Sequence, residues 1–486
     1  MASWSRALLS TSLVLFACGD DKGGSTTAAS TTASTDAATS DATTAGSTGD
    51  VPTTGASTGA AAGRPNWHED IAPLVATNCL SCHAAGGIAP FSMETYALAS
   101  PWAPVMADDI DAGTMPPWHA LETDLCAPPF PFKHDARLTA DEQQLFRAWA
   151  DAGAPEGDPA LAAPLPDPQS LDLPNPTKTV AMSSSLSIDS VGSTRDFFHC
   201  ISLDPANAET VYLDGVQVVP GNRKIVHHVL IYADPTGASA GWQGGVKQNC
   251  GGGSGIQAET QLIGGWVPGG MPMEAPKDVA TELPPGTRLI LNVHYHATGG
   301  GPETDDGTGL ALRWSTTKPA WGTLFALIGA PGVGKSLTGP LMVPAGEKDH
   351  VEDYEFTVSM NGQSFPDALD VRLWSLTNHM HKVGVDMRAW VVDRDTGAET
   401  CLIQTPRWDF NWQRSYAYDT PITGSVRVRY GDKLRIRCIY DNTLDNPGVV
   451  EALAEVGLDA PIDVQLGEAT LDEMCLLGVG VAIKGL

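Results

Sequence analysis

The sequence predicts a multidomain protein: a small all-α domain followed by two all-β domains of the jelly-roll or sandwich kind. Three observations predict it. At 486 residues the chain is longer than one ordinary core serves. Its 36 Pro and 51 Gly favour strands, turns and loops over long helices. Helical patterns occur on the N-terminal side of a Pro-rich segment, and β-branched runs follow it. Hydrophobic content of 42% is enough for real cores. The formal net charge of −28 argues against binding nucleic acid or anionic lipid by charge.

The first element is a targeting segment. Arg6 precedes an apolar run, Ala7 to Ala17, and Cys18-Gly19 follows it. Residues 1–17 read as a lipoprotein signal peptide, with Cys18 as the lipidated first residue of the mature protein. The alternative is a plain secretory signal that contains a Cys. Either way the chain is expected in the periplasm or at the cell surface, held to a membrane only by the lipid. No other apolar stretch is long enough to span a bilayer. Residues 18–63 are almost entirely Ser, Thr, Ala, Gly and Asp after the first few, a composition that cannot fold and reads as a disordered tether.

Of nine Cys, Cys18 is the lipid candidate, and Cys79 and Cys82 belong to a motif described next. Cys126, Cys200, Cys250, Cys401, Cys438 and Cys475 remain, an even number that predicts three disulfides in an exported protein.

Residues 64–153 form the α domain. Cys79-Leu80-Ser81-Cys82-His83 is the attachment pattern for a c-type haem: two thiols for the vinyl groups and an adjacent imidazole for the iron. A zinc knuckle would want a second ligand pair, and His119 with Cys126 is poorly spaced for one; a redox CxxC is the other alternative. Trp67 to Leu74 resembles the first helix of a cytochrome c. Met115-Pro116-Pro117 resembles the loop that supplies the sixth ligand, so Met115 is the axial candidate, with Met93, Met106 and His119 as rivals. Met ligation raises the potential and leaves no open position, which suits electron transfer. Asp141 to Ala152 reads as a closing helix with Leu145, Trp149 and Ala152 on its buried face.

Residues 154–176 are the Pro-rich linker. The β domains follow at 177–319 and 320–486, with strands expected over Val211–Val219, Arg288–His296 and Ser425–Tyr430. Residues i and i+2 of a strand share a face, so His294 with His296, and His379 with His381, can each present two imidazoles together. Adjacent His227 and His228 can ligate one metal only at a strand end or bulge. Imidazole suits zinc or copper, and a thioether such as Met474 favours Cu(I).

Ile225-Val226-His227-His228, Leu291 to Tyr295, His379-Met380-His381 with Gly384, and Asp472 to Cys475 together resemble the copper type II, ascorbate-dependent monooxygenases. This is the family of peptidylglycine α-hydroxylating and dopamine β-monooxygenases, and the segments stand in its order. The resemblance implies two copper ions. His227, His228 and His294 match the set that relays an electron. His379, His381 and Met474 match the catalytic set, where O2 meets a substrate C–H bond. His296 has no ligand counterpart and is expected beside the ligands. The same matching implies disulfides Cys200–Cys250 and Cys438–Cys475, leaving Cys126 with Cys401 as a bond between modules.

Where the peptide-hydroxylating members clamp a substrate carboxylate, this chain has Thr377, Leu476 and Gly478, none able to do so. A glycine-extended peptide is therefore not expected as substrate. Trp408 to Gln413 either lines the pocket or is a packed strand with buried indoles. Gly329 to Ser336 spells a P-loop, but Gly339-Pro340 follows at once, so it reads as a loop between strands. The reading that results is an extracytoplasmic monooxygenase acting on a small molecule with O2, fed by ascorbate, by its own haem through the three-His copper, or by a redox partner protein. The alternatives are a non-enzymatic periplasmic copper-binding or electron-transfer protein and, third, a surface interaction protein on a degenerate scaffold.

Overall fold

A computed structural model describes residues 64–486 except 169, 192–193 and 470. The signal peptide, Cys18 and the tether lie outside the described residues.

The N-terminal described region is helical. A turn at Trp67–Ile71 runs into Ala72–Asn78, followed by Tyr96–Ala99, Ala103–Ala112 and Ala140–Asp151. Thr139 starts the last helix with a reciprocal cap: its hydroxyl accepts from Glu142 N–H while the Glu142 carboxylate accepts from Thr139 N–H. The buried face of this helix corrects the sequence expectation. Phe146, with Trp149, is fully buried, while Leu145 packs against the same core only partly buried and Ala152 is also half-buried. Trp149 sits 5.5 Å from Phe146 and 5.9 Å from Trp67, so three large rings, with most apolar area to hide, set the helix rotation.

The remainder is β. In the first half, a five-stranded antiparallel sheet runs Val246–Lys247, Asp196–Leu203, Arg288–His296, Val226–Asp234, Gln261–Trp266. Its counterpart in the second half runs Lys335–Ser336, His350–Thr357, Lys433–Tyr440, Gly384–Val392, Glu399–Thr405. Each packs on part of one ten-stranded sheet. That sheet crosses position 319 through a short parallel pairing, Trp321 with Val279 and Gly322 with Ala280. Strands Val211–Val219 and Arg288–His296 have the expected bounds. The third is shorter, Val426–Val428, because Asp432 accepts from Arg429 N–H and turns the chain there.

Among the described residues three disulfides form: Cys126–Cys401, Cys200–Cys250 and Cys438–Cys475. They suggest a secreted or extracellular protein. Among the described residues no helix is long and apolar enough to cross a membrane. Trp118, Ala120 and Phe132, from the stretch before the last helix, are built into the core of the second β half. Strand Trp321–Ala330 leads through Gly332 and Gly334 into Lys335–Ser336, so the P-loop lookalike opens no helix.

Candidate metal centres

The first imidazole cluster is made by strand register. His294 faces His228, but the next pair is Tyr295 with Val226, so His227 is the extra residue of a bulge. That bulge brings two adjacent His side chains to one side. The Nδ1 atoms of His294 and His228 lie 3.2 Å apart, and those of His227 and His228 3.5 Å apart. Asp196 takes Nε2 of His294 at 2.9 Å, which fixes the tautomer and leaves Nδ1 as a lone pair. Phe198 stacks on the His294 ring at 4.5 Å. Three inward nitrogens of this kind could hold a metal ion. His296 is not among them: its Nδ1 contacts the same Asp196 oxygen at 2.8 Å, so it braces the anchor.

The second cluster sits at the end of strand Val371–His379. His379 Nδ1 contacts Gln413 Oε1 at 2.6 Å, and His381 Nδ1 contacts the Asp472 carbonyl at 2.9 Å. Both acceptors require Nδ1–H, which leaves both Nε2 lone pairs for a metal. Between them Met380 points into the core, against Gly384, where an added Cβ would lie 2.8 Å from the Met380 Cβ. Beneath, the buried Glu473 carboxylate accepts from the N–H of His381, Val383 and Met474 at 2.7, 3.1 and 2.9 Å. Burial pushes its carboxyl up to about 8 against these donors.

The two clusters face each other. The His228 and His379 ring centroids are 6.3 Å apart. A cavity of about 1240 Å3 is lined by His228, His379, His381 and Met474, and by Thr377 and Gly478. Burial, reinforced by neighbouring imidazoles, pushes His381 and His227 down to about 3 and His228 well below its ordinary value. The rings are therefore neutral and available as ligands.

In the helical region Cys79 and Cys82 are free thiols. Burial, then the Cys82 charge, pushes Cys79 up to about 12, which does not suit a redox thiolate. His83 is buried, with Nδ1 on the Phe91 carbonyl at 3.0 Å and Nε2 left for a ligand role. Met115 is half-buried on its loop. Met93 and Met106 belong to the helical core, and His119 is drawn away, its backbone N–H donating to the Tyr416 hydroxyl.

Sequence reasoning missed Asp196 and Glu473 as supports, and the use of Arg407 to Tyr416. That segment is a strap carrying a 3-10 turn, Phe410–Trp412, rather than a strand. Trp408 Nε1 donates to the His381 carbonyl, and Phe410 lies 5.1 Å from His227 and 5.7 Å from His381. Hydrogen-bonding side chains mixed with aromatics were its visible signal.

Residues 333–454 match the model of the copper type II ascorbate-dependent monooxygenase C-terminal domain. Over 272 residues the chain is 24% identical to DBH-like monooxygenase protein 2 of Mus musculus, covering 54% of this chain and 38% of that protein. This chain thus spans less than half the length of that relative. Among solved structures, the major capsid protein P2 of bacteriophage PM2 aligns with 62% of this chain and 97% of its own at 11% identity and a TM-score of 0.24. The infectious bursal disease virus VP2 particle aligns with 63% and 71% at 8% identity and a TM-score of 0.16, and both scores are too low to place the folds together. The matched domain and the mouse relative support the copper type II ascorbate-dependent monooxygenase family for this chain.

Proposed function

We propose that the chain is an extracytoplasmic copper monooxygenase that hydroxylates a C–H bond of a small molecule, drawing electrons from ascorbate, from a haem at Cys79, Cys82 and His83, or from both. One observation carries this reading: both imidazole clusters, with His294, His379 and His381 already in the tautomers that ligation needs, meet at a single cavity. His227, His228 and His294 would hold one copper through Nδ1; His379, His381 and Met474 would hold the other. Copper at the thioether-bearing set supplies one-electron chemistry and favours the reduced ion that reacts with O2. Cys79 and Cys82 would bond a haem that His83 ligates through Nε2, with Met115 as sixth ligand.

The protein's own part is binding and exclusion. Trp266, Phe325 and Leu327 give the cavity apolar walls that select an apolar substrate body and expel water. Thr377 spends its hydroxyl on Ser415 at 2.7 Å, and a Cβ at Gly478 would lie 3.2 Å from that of Thr377. Neither position holds an anion, so Thr377 and Gly478 do not orient a substrate through a carboxylate. The same absence favours the second reading, a copper-binding electron carrier.

Copper per covalent haem, measured on the chain matured in a haem-loading host, tests the proposal. A ratio of about two is expected; a ratio near zero after copper loading overturns it. Oxygen uptake that rises on adding an apolar C–H substrate excludes the carrier, and loss of that uptake in Met474→Ala is expected.

A further inference from the structure

The helical module is not attached at random: it is held to the strap Arg407 to Tyr416. Arg407 Nη1 donates to the Ala112 carbonyl at 2.7 Å, Arg414 Nη1 to the Pro117 carbonyl at 3.2 Å, and the Tyr416 hydroxyl accepts from His119 N–H. The Arg414 guanidinium lies 5.3 Å over the Trp118 ring. Ile88, from the loop after the Cys-His motif, and Trp412 each come within 3.2 Å of a Cβ built on Gly269. The Cys126–Cys401 disulfide ties the next loop to the same half.

Gln413 and Arg414 divide two tasks. Gln413 is extended (φ −63°, ψ 137°), and neighbours in extended chain point to opposite sides. Gln413 therefore reaches His379 Nδ1 at 2.6 Å while Arg414 reaches the Pro117 carbonyl, two residues from Met115. The other cluster has a poorer connection: Phe410 stacks on His227 at 5.1 Å with no hydrogen bond across that gap. Covalent and hydrogen bonds couple electrons better than van der Waals gaps.

We infer that electrons from the haem module enter at the His379/His381/Met474 set through Arg414 and Gln413, not at the three-His set; this rests on the function proposed above. Each transfer takes one electron from ferrous haem, which becomes ferric, to a cupric ion, which becomes cuprous. No bond or proton changes hands, and a one-electron donor of the ascorbate class restores the haem. Gln413 and Arg414 are positioning residues in this route.

The test uses the full chain, copper-loaded, fully oxidised and free of O2. A light pulse with a flavin photoreductant reduces some haem, and the first-order decay of ferrous absorbance reads internal transfer. The decay is expected to persist in His294→Ala and vanish in His381→Ala. Gln413→Leu should slow it about tenfold or more, and Gln413→Glu, which keeps the acceptor, should restore it, with haem potential and copper count unchanged. If Gln413→Leu loads no copper, Arg414→Met replaces it with the same expected slowing. Decay lost in His294→Ala but kept in His381→Ala overturns the inference, as does an unchanged rate in the strap variants or no decay with both metals bound. Those results leave the oxygenase reading standing. A wild-type protein that binds no copper overturns that reading, and the route with it.

Discussion

The two imidazole clusters reach one cavity by opposite means. His294 turns Nδ1 inward because a carboxylate, Asp196, holds its Nε2 at 2.9 Å. His379 and His381 leave Nε2 free because neutral oxygens, on Gln413 and Asp472, hold their Nδ1 at 2.6 and 2.9 Å. The first cluster is assembled within one sheet, from paired strands and a bulge. The second gathers a strand end, the strap and the Asp472–Met474 segment, which the Cys438–Cys475 disulfide ties to a neighbouring strand. One site should thus be sensitive to charge at its anchor, the other to the backbone that assembles it.

Removing Glu473 gives the largest expected break in this comparison. In Glu473→Ala, three buried N–H groups at His381, Val383 and Met474 lose their acceptor. Unpaired buried donors of this kind cost on the order of 3–5 kcal/mol together. Denaturant unfolding should show that loss, and copper should leave the His379/His381/Met474 set while the three-His set keeps its ion. Equal loss of both coppers would mean that the clusters are not independently built.

Asp196→Asn probes the other side with a smaller effect. It removes the carboxylate charge that holds His294 Nε2 but keeps the shape. Copper affinity at the three-His set should fall about 10- to 100-fold, with the second set unaffected. Competition with a calibrated chelator measures this. An unchanged affinity would show that strand register alone organises the cluster.

Much of this was legible in the sequence, for physical reasons. Period-two β-branched runs located strands Val211–Val219 and Arg288–His296, and two adjacent ligands sharing one side called for a strand end or a bulge at His227-His228, of which the register shows the bulge. The P-loop lookalike was exposed by Gly339-Pro340, which denies a helix. What stayed hidden depends on chain segments far apart in sequence. Gln413 is 34 positions from His379, Asp196 is 98 from His294, and Glu473 is 92 from His381. No local pattern distinguishes such a residue from a solvated one. Phe146 was missed for a related reason: the helix period gives a face, but Trp67 and Phe146 decide how far that face rotates. The strap was recognised as unusual and remained ambiguous because its aromatics serve packing and bridging at once.

The smallest effect concerns protons, and it asks whether the clusters are equally closed despite their different anchors. In the metal-free protein His228 and His381 both have depressed pKa values, His381 near 3, with burial as the main cause. In the unfolded chain each takes a proton near 6.5. Between these values the unfolded state binds more protons, so stability is complete above about 6.5 and falls as pH drops, by up to ~1.4 kcal/mol per pH unit for each imidazole. Thermal midpoints of the metal-free protein should therefore decline on acidification from neutral pH. His228→Ala and His381→Ala should each flatten that decline, and by similar amounts if both clusters exclude water alike. A slope that changes only in His381→Ala would mean that the three-His cluster admits solvent before copper arrives. Its charged anchor, not its burial, would then keep it ready to bind.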